Sequence, residues 1–301
     1  MRPAKSGWVI RRAAGLQILE AKALERFDWL VHGFSTRPDG VSELVFAKDG
    51  KRASEKVLNL GLTDWDSRER VEENRKKLLA ALGAGRMQLV ALRQIHSDII
   101  HVIVTAPKEP LQGDASITRA PGLLLAVQTA DCIPILLADP KRRAVAAIHA
   151  GWRGTLRRIA GKTVGRMQML YGTQPEDLVA AIGPGIGRCS YEVGPEVVKE
   201  FASQFPKARD WFDGPFELLA SGEDPNPLPW LTMMPPGHVP PAPRAMLDLH
   251  AANRAILIEA GVRPHKVFDS DLCTACRTDL FFSYRRERQT GRMMAVIGIH
   301  S

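Results

Sequence analysis

Apolar positions along the chain keep two rhythms. Short apolar runs bounded by glycine, proline or aspartate predict buried strands at "MQLVAL", "DIIHVIV", "GLLLAVQ", "IPILLAD", "AVAAIH", "DLVAAIG" and "RMMAVIG". Elsewhere the apolar residues return every three or four positions, the period of a helix with one buried face. "DSRERVEENRKKLLAALG" opens with Asp66 as N-cap and Glu69 three residues on, and Gly83 stands where a C-terminal glycine belongs. In "TLRRIAGKTVGRMQMLYG", Leu156, Ile159, Ala160, Thr163, Val164, Met167 and Leu170 share one face, and Gly172 ends it. "GPEVVKEF" puts Pro195 at a first helical position, and "DLHAANRAILIEAG" runs from an Asp248 cap to Gly261.

Strands and helices mix without strict alternation, and two of the best strands look joined by a hairpin. The pattern predicts an α+β fold with mixed sheets rather than a doubly wound parallel one. No internal repeat interrupts it, so residues 1–301 read as a single domain. One stretch breaks the rhythm: ten of the 21 prolines lie between Pro206 and Pro243, a density that supports neither helix nor central strand and predicts a surface excursion at about 206–243.

Composition adds modest limits. At 45% hydrophobic, 301 residues can bury a sizeable core. No apolar stretch of about 18 residues occurs, which predicts no membrane span, and "MRPAKSGWVIRRAAGLQ" lacks the core of a secretory signal. The expected location is the cytoplasm. A transit peptide is a weaker alternative, since the first nineteen residues lack acids. The formal charge of +8 permits anionic partners, but it is scattered, and with 6% aromatics and no basic stripe it favours a small anionic ligand over nucleic acid. Four cysteines in a chain of this kind read as thiols or metal ligands, not as a disulfide framework.

The chemistry gathers in "QTADCIPILLADPKRRAVAAIHAGWRGT". If Pro140 and Lys141 are the central residues of a tight turn, Cys132 faces His149 across an antiparallel pair, with Cβ atoms about 4.5–5.5 Å apart. Two-residue turns prefer positive φ, which proline cannot adopt. A loop longer by two residues puts His149 opposite Pro134 and leaves Cys132 diagonal to it on the same face, whereas a slip by one separates them. Both same-face registers suit two ligands of one tetrahedral metal. The third ligand expected is His96 in "LRQIHSDII"; its rival His101, within an apolar run, reads as a packed core residue, and His238, His250 and His300 have surface or packing explanations. Zinc held by three side chains keeps a fourth position for water or substrate. The "AGWRGT" turn leaves room beside it, with Thr155 expected to cap the next helix and Arg153 to help form an anion pocket.

These motifs resemble the YfiH-like laccase-domain family across nearly the whole chain: "HGFSTR", "LNLGLT", "RQIHSD", "GDASIT", "QTADCIPILLAD", "HAGWRGT", "AAIGPGIGRCSYEVG", "LDLHAANRAIL", "CTACRTDLFFSYRRE" and "TGRMMAVIG". The family's zinc triad falls on His96, Cys132 and His149. Its fold is an α/β/β/α layered arrangement. Its members have been described as polyphenol oxidases, zinc-dependent purine nucleoside phosphorylases with adenosine deaminase activity, and peptidoglycan editing factors. The resemblance thus implies phosphate attack at C1′ of adenosine, inosine, guanosine or methylthioadenosine, and water attack at C6 of adenosine. In that setting Arg153, Arg37 and Arg285 would contact phosphate or ribose oxygens, Asn59 and Gln94 would hydrogen-bond the nucleoside, and Asp131 would transfer a proton or support the metal. Strand alternation turns Asp131 away from Cys132 unless the strand starts after the cysteine.

Two departures stand out. The family often has a cysteine pair before the tyrosine of "YEVG", whereas here Ser190 follows Cys189, which argues against such a pair as ligands; and the proline-rich stretch is longer than usual. Cys273 and Cys276 match the family motif, with packing the expected role. The rival readings are a Cys–His amide hydrolase using Cys132 as a thiolate nucleophile, a copper polyphenol oxidase, and a structural zinc. A single His2Cys set is too small for a multicopper oxidase. Purine nucleosides and phosphate are the expected partners, in a monomer or small homo-oligomer.

Overall fold

The computed structural model describes residues 7–48, 51–221 and 244–300. The strands, in chain order, are β1 (Trp8–Ala13), β2 (Leu16–Ala21), β3 (Leu30–Ser35), β4 (Pro38–Lys48), β5 (Lys51–Val57), β6 (Gln88–Ala91), β7 (Ile100–Val102), β8 (Ala115–Thr118), β9 (Leu123–Thr129), β10 (Ile133–Asp139), β11 (Ala144–Ala150), β12 (Val179–Ile182), β13 (Glu192–Val193), β14 (Phe212–Asp213), β15 (Ala245–Leu247), β16 (Val267–Asp269) and β17 (Met293–Ile299). The helices are α1 (Lys22–Glu25), α2 (Arg68–Ala81), α3 (Trp152–Leu156), α4 (Ile159–Tyr171), α5 (Pro195–Gln204), α6 (Phe216–Ser221), α7 (Leu249–Glu259) and α8 (Tyr284–Glu287).

Two six-stranded mixed sheets dominate, in the orders β1-β2-β3-β17-β9-β6 and β16-β12-β10-β11-β8-β7. In each, antiparallel pairs fill the middle, while β6 runs parallel to β9, β7 to β8 and β16 to β12. Because side chains alternate across a strand, β10 and β11 serve two cores at once. Leu136, Ala138, Val145 and Ala147 face the first sheet, meeting Leu125, Val127, Ala295 and Ile297. Their neighbours Ile135, Leu137, Ala146 and Ile148 face outward onto α4, α5 and α7 through Val164, Phe201 and Ile256. On the opposite side, Ile18, Leu124 and Val296 pack against Leu78 and Leu82 at α2. The layers therefore run α/β/β/α, an α+β fold with mixed sheets. Burying a leucine or isoleucine in these cores contributes about 1.5–3 kcal/mol each.

The β10–β11 hairpin takes the longer of the two expected loops. Pro134 faces His149 and Asp139 faces Ala144, leaving Pro140 to Arg143 as the turn. Asp139 Oδ1 accepts from the N–H groups of Lys141 (2.9 Å) and Arg142 (3.0 Å), and Arg143 takes the positive φ of 46° that Pro140 cannot supply. His149 therefore points into the layer between the sheets, at its open end.

Helix boundaries needed correction in places. Ser67, not Asp66, caps α2, its Oγ accepting from Arg70 N, while Asp66 accepts from Ser42 and Asn59. The helix expected from Thr155 to Leu170 is two helices, broken where Arg158 adopts φ 59°. Gly151 is the N-cap of α3; Thr155 lies inside it and its hydroxyl accepts from Asn253. Asp248 caps α7 as expected. The proline-rich excursion is narrower than 206–243, because Trp211, Phe212, Phe216 and Leu219 are buried and β14 pairs with β15; residues 222–243 and His238 lie outside the described residues. Among the described residues, no helix is long and apolar enough to cross a membrane.

Candidate metal centre

At the open end of the inter-sheet layer, His96, Cys132 and His149 bring one ligand atom each to within 4.8 Å of one another. His96 Nε2 is 3.9 Å from Cys132 Sγ, and the two imidazoles stand edge to face with centroids 5.0 Å apart. Three elements deliver these side chains. His149 rides on β11, Cys132 ends the turn just before β10, and His96 sits on a loop at φ 57°. Gly151 is the residue that keeps the centre open: a Cβ there would lie 2.9 Å from Cys132 Sγ and 3.2 Å from His96 Cδ2.

Asp114 organises the whole group, although its pattern gave it no role. It is fully buried at the start of β8, which the sheet register sets beside β11. Its carboxylate accepts from His149 Nδ1 (2.8 Å), from the backbone N–H groups of Ile95 (3.3 Å), His96 (3.0 Å) and Ser97 (2.6 Å), and from Ser97 Oγ (2.6 Å). Burial opposes its ionisation, but the hydrogen bonds from His149 and Ser97 hold the carboxyl well below the usual range. The sequence signal was available only as the aspartate within "QGDASIT", one residue before a strand.

Holding Nδ1 leaves Nε2 of His149 for the site, the arrangement in which a carboxylate orients a metal-binding histidine. Cys132 suits the same purpose. Burial works against its thiolate, yet the charge of His149 and the hydrogen bonds from both histidines bring it down to about 6. Burial likewise works against a charged His149, and the Cys132 charge and Asp114 push it up to about 9. A soft thiolate, two imidazoles and a buried carboxylate behind one of them fit a borderline cation such as zinc.

The centre opens on a cavity of about 1150 Å³ whose wall includes Gln94, Asp131, Tyr191, Arg285, Arg288 and Arg292. Asp131 has φ 95° and precedes the strand, which resolves the alternation problem. Its carboxylate accepts from Thr274 Oγ1 and Ser283 Oγ (2.7 Å each) and from Arg285 N (2.6 Å). Arg285 lies over the Tyr191 ring at 5.0 Å and donates to Glu192 O. Burial pushes the Tyr191 phenol up, so it stays a neutral hydroxyl. Gln94 reaches the wall with its amide engaged by Gln128 backbone on both sides (2.7 Å each).

The other expected site residues stand back from this wall. Arg37 is buried in ion pairs with Glu55 and Glu287. Asn59 is buried and accepts from Arg292 N at 2.9 Å, so it acts on the cavity through the backbone of a wall residue. Arg153 is exposed and stacked on Trp152 at 4.3 Å. The sequence pattern does not mark Arg292, which precedes β17, where apolar periodicity carries no information about a flanking cation. His101 is half-buried and bonds Gln112 O at 2.8 Å instead of packing in the core, and His250 is buried against Asp269 at 2.9 Å.

Two mixed sheets sandwiched between helices thus set a His–Cys–His donor group, able to hold a metal ion, at the mouth of an arginine-lined cavity. Residues 31–300 match the family described as multi-copper polyphenol oxidoreductase laccase. The chain belongs to this family, the YfiH-like laccase-domain proteins. It is 39% identical over 289 residues to a purine nucleoside phosphorylase of Deinococcus radiodurans, covering 95% of this chain and 94% of that one. It is 34% identical over 249 residues to a protein named adenosine deaminase RL5 from an unknown prokaryotic organism, covering 79% and 84%. The crystal structure of YlmD from Geobacillus stearothermophilus superposes with a TM-score of 0.77 at 32% identity, covering 99% of this chain and all of that one.

Proposed function

We propose that the protein is a zinc-dependent purine nucleoside phosphorylase that also deaminates adenosine. The observation that carries this reading is the His96–Cys132–His149 donor set opening on a cavity lined by Arg285, Arg288 and Arg292. The relatives named purine nucleoside phosphorylase and adenosine deaminase support it. Zinc, when bound, supplies a Lewis acid that lowers the pKa of water or polarises an oxygen.

The chain's own residues divide the remaining work. Asp114 keeps His149 in one tautomer and one orientation. The wall arginines give phosphate its positive surroundings, and Arg285 also holds the face of Tyr191. Tyr191 offers a neutral hydroxyl and a flat ring to a purine nucleoside, with Ile186 beside it on the wall. Asp131, with three donors already on its carboxylate, fixes the Arg285 backbone and the approach to Cys132. Arg37 and Asn59 brace the wall from behind, and Gln94 fixes the loop that carries His96.

Metal-analysed protein incubated with adenosine, with and without phosphate, tests the reading. Adenine formed only with phosphate is expected, together with inosine; neither product would remove both activities. A second reading has one specific support: the Cys132 sulfur lies within 4.8 Å of a His149 ring nitrogen, whose charge pulls the thiol down, the juxtaposition a Cys–His hydrolase requires. Metal-free protein that cleaves amides and is insensitive to chelators would favour it.

A further inference from the structure

Three of the four cysteines converge outside the centre just described. Cys189, Cys273 and Cys276 place their sulfurs within 4.8 Å of one another, with Cys189 and Cys276 at 3.4 Å. The Ser190 hydroxyl stands over all three, 3.4 Å from Cys276 Sγ, 3.6 Å from Cys189 Sγ and 3.7 Å from Cys273 Sγ. From these observations we infer that Cys189, Cys273, Cys276 and Ser190 form a second metal site, selective for a thiophilic divalent cation of the zinc class.

Tetrahedral geometry supports the count of four. With Zn–S near 2.3 Å and Zn–O near 2.1 Å, sulfurs lie about 3.8 Å apart and the oxygen about 3.6 Å from each sulfur. The three hydroxyl distances bracket that value, the Cys189–Cys276 sulfur separation of 3.4 Å lies a little inside its counterpart, and all three sulfurs are within 4.8 Å of one another. The scaffold is fixed by backbone hydrogen bonds between two loops. Gly185 N donates to Leu272 O at 3.2 Å and Thr274 N to Gly185 O at 2.9 Å, while Arg277 N donates to Cys273 O at 3.1 Å within the second loop. Gly187 N donates to Cys273 Sγ at 3.2 Å, a contact suited to thiolate. Packing does not explain the cluster, because Cys189 and Cys276 are exposed.

Electrostatics completes the case. Three thiolates around a divalent cation carry one net negative charge, and Arg244, Arg285, Arg286 and Arg288 line the same hollow; Glu192 there is paired with Arg244. The site is distinct from the His–Cys–His centre but adjoins it in the chain. Thr274, between Cys273 and Cys276, donates to Asp131, which precedes Cys132. A cation here would clamp the loop that holds Asp131.

The test is metal stoichiometry on the full chain, reduced, stripped with a chelator and titrated with Co2+ or Zn2+. The wild-type protein should take up two equivalents, Cys132→Ala one, and Cys276→Ser one. In the Cys132→Ala protein the remaining cobalt should give thiolate-to-cobalt absorption, which that variant can draw only from the cluster. In the wild-type protein, Zn2+ should protect Cys189, Cys273 and Cys276 from alkylation, as read by peptide mass mapping. Ser190→Cys should slow zinc loss to a chelator about tenfold or more, since a softer ligand replaces oxygen. A single equivalent in the wild-type protein, a second equivalent surviving in Cys276→Ser, or equal alkylation with and without zinc overturns the site. Unchanged zinc retention in Ser190→Cys overturns Ser190 as the fourth position.

Discussion

A single carboxylate, Asp114, ties five donors from two segments into one orientation. It turns His149 so that Nε2 faces the site, and it holds the loop in which His96 keeps a positive φ of 57°. A non-glycine residue in that region costs on the order of 1–3 kcal/mol, offset here by hydrogen bonds from Ile95, His96 and Ser97. Asp114→Asn keeps the volume but loses the charge and turns one acceptor into a donor. Zinc affinity should fall about 10–100-fold, measured by competition with a chromophoric chelator; unchanged affinity would refute the orienting role. A second buried histidine governs acid stability. His32 accepts a hydrogen bond from Ala21 N at 3.1 Å, and burial lowers its pKa to about 4. The unfolded chain, with an imidazole near 6.5, therefore binds the proton more readily. Stability is full above about pH 6.5 and falls as pH drops toward 4, by about 2–3 kcal/mol at pH 4.5. Urea unfolding should show wild type losing that much more than His32→Gln between about pH 7 and 4.5.

Among the elements, α7 illustrates how far local chemistry reaches. Asp248 accepts from Ala251 N at 2.8 Å, one of the few partners available to the first-turn N–H groups. Asp248→Ala should lower the unfolding free energy by about 1 kcal/mol, seen as a shift in denaturant midpoint without a change in slope. That cap was legible because aspartate preceded a periodic run, as were the seven strands. Apolar density marks burial on both faces in β9, β10, β11, β12 and β17, but not in β6 and β7, which lie at sheet edges and leave Ile99, Val102 and Val104 exposed nearby. The less legible features are those decided by contacts distant in sequence. Arg158 breaks the run between α3 and α4, and it does so while stacked over Phe205 at 4.4 Å, beyond the reach of any local pattern. The β10–β11 register was narrowed to two by turn chemistry, and Arg143 decided it by accepting the φ that proline refuses. The metal triad survived because parity, not the particular register, keeps Cys132 and His149 on one face. Asp114 is not legible because a lone aspartate before a strand looks like any turn residue, and spacing alone does not join Cys189 to Cys273 and Cys276.

At the scale of the molecule, the two sheets do more than bury a core. They part at one end, and the gap receives Gln128 and Thr129 from the first sheet and Cys132 and His149 from the second. Arg285, Arg288 and Arg292 at that gap come from one short segment, running from α8 to the start of β17, so a local cluster of sequence is set by the fold at the mouth of the cavity. Six arginines line the cleft against Glu72, Glu109 and Asp131, and such a positive excess raises the local concentration of an anion, an advantage that salt removes. Screening lengths shrink from about 30 Å at 0.01 M salt to about 3 Å at 1 M. If phosphate enters through this cleft, its KM should rise several-fold over that range while kcat changes little, because attraction across solvent is screened far more than contacts already made in the site. Arg292→Gln should raise the phosphate KM at low salt and flatten its salt dependence, since Arg292 lies half-buried in the wall with its backbone held by Asn59. Initial rates against phosphate at several ionic strengths decide the matter: a KM indifferent to salt in the wild-type protein would mean that the arginine wall serves the fold and not the anion.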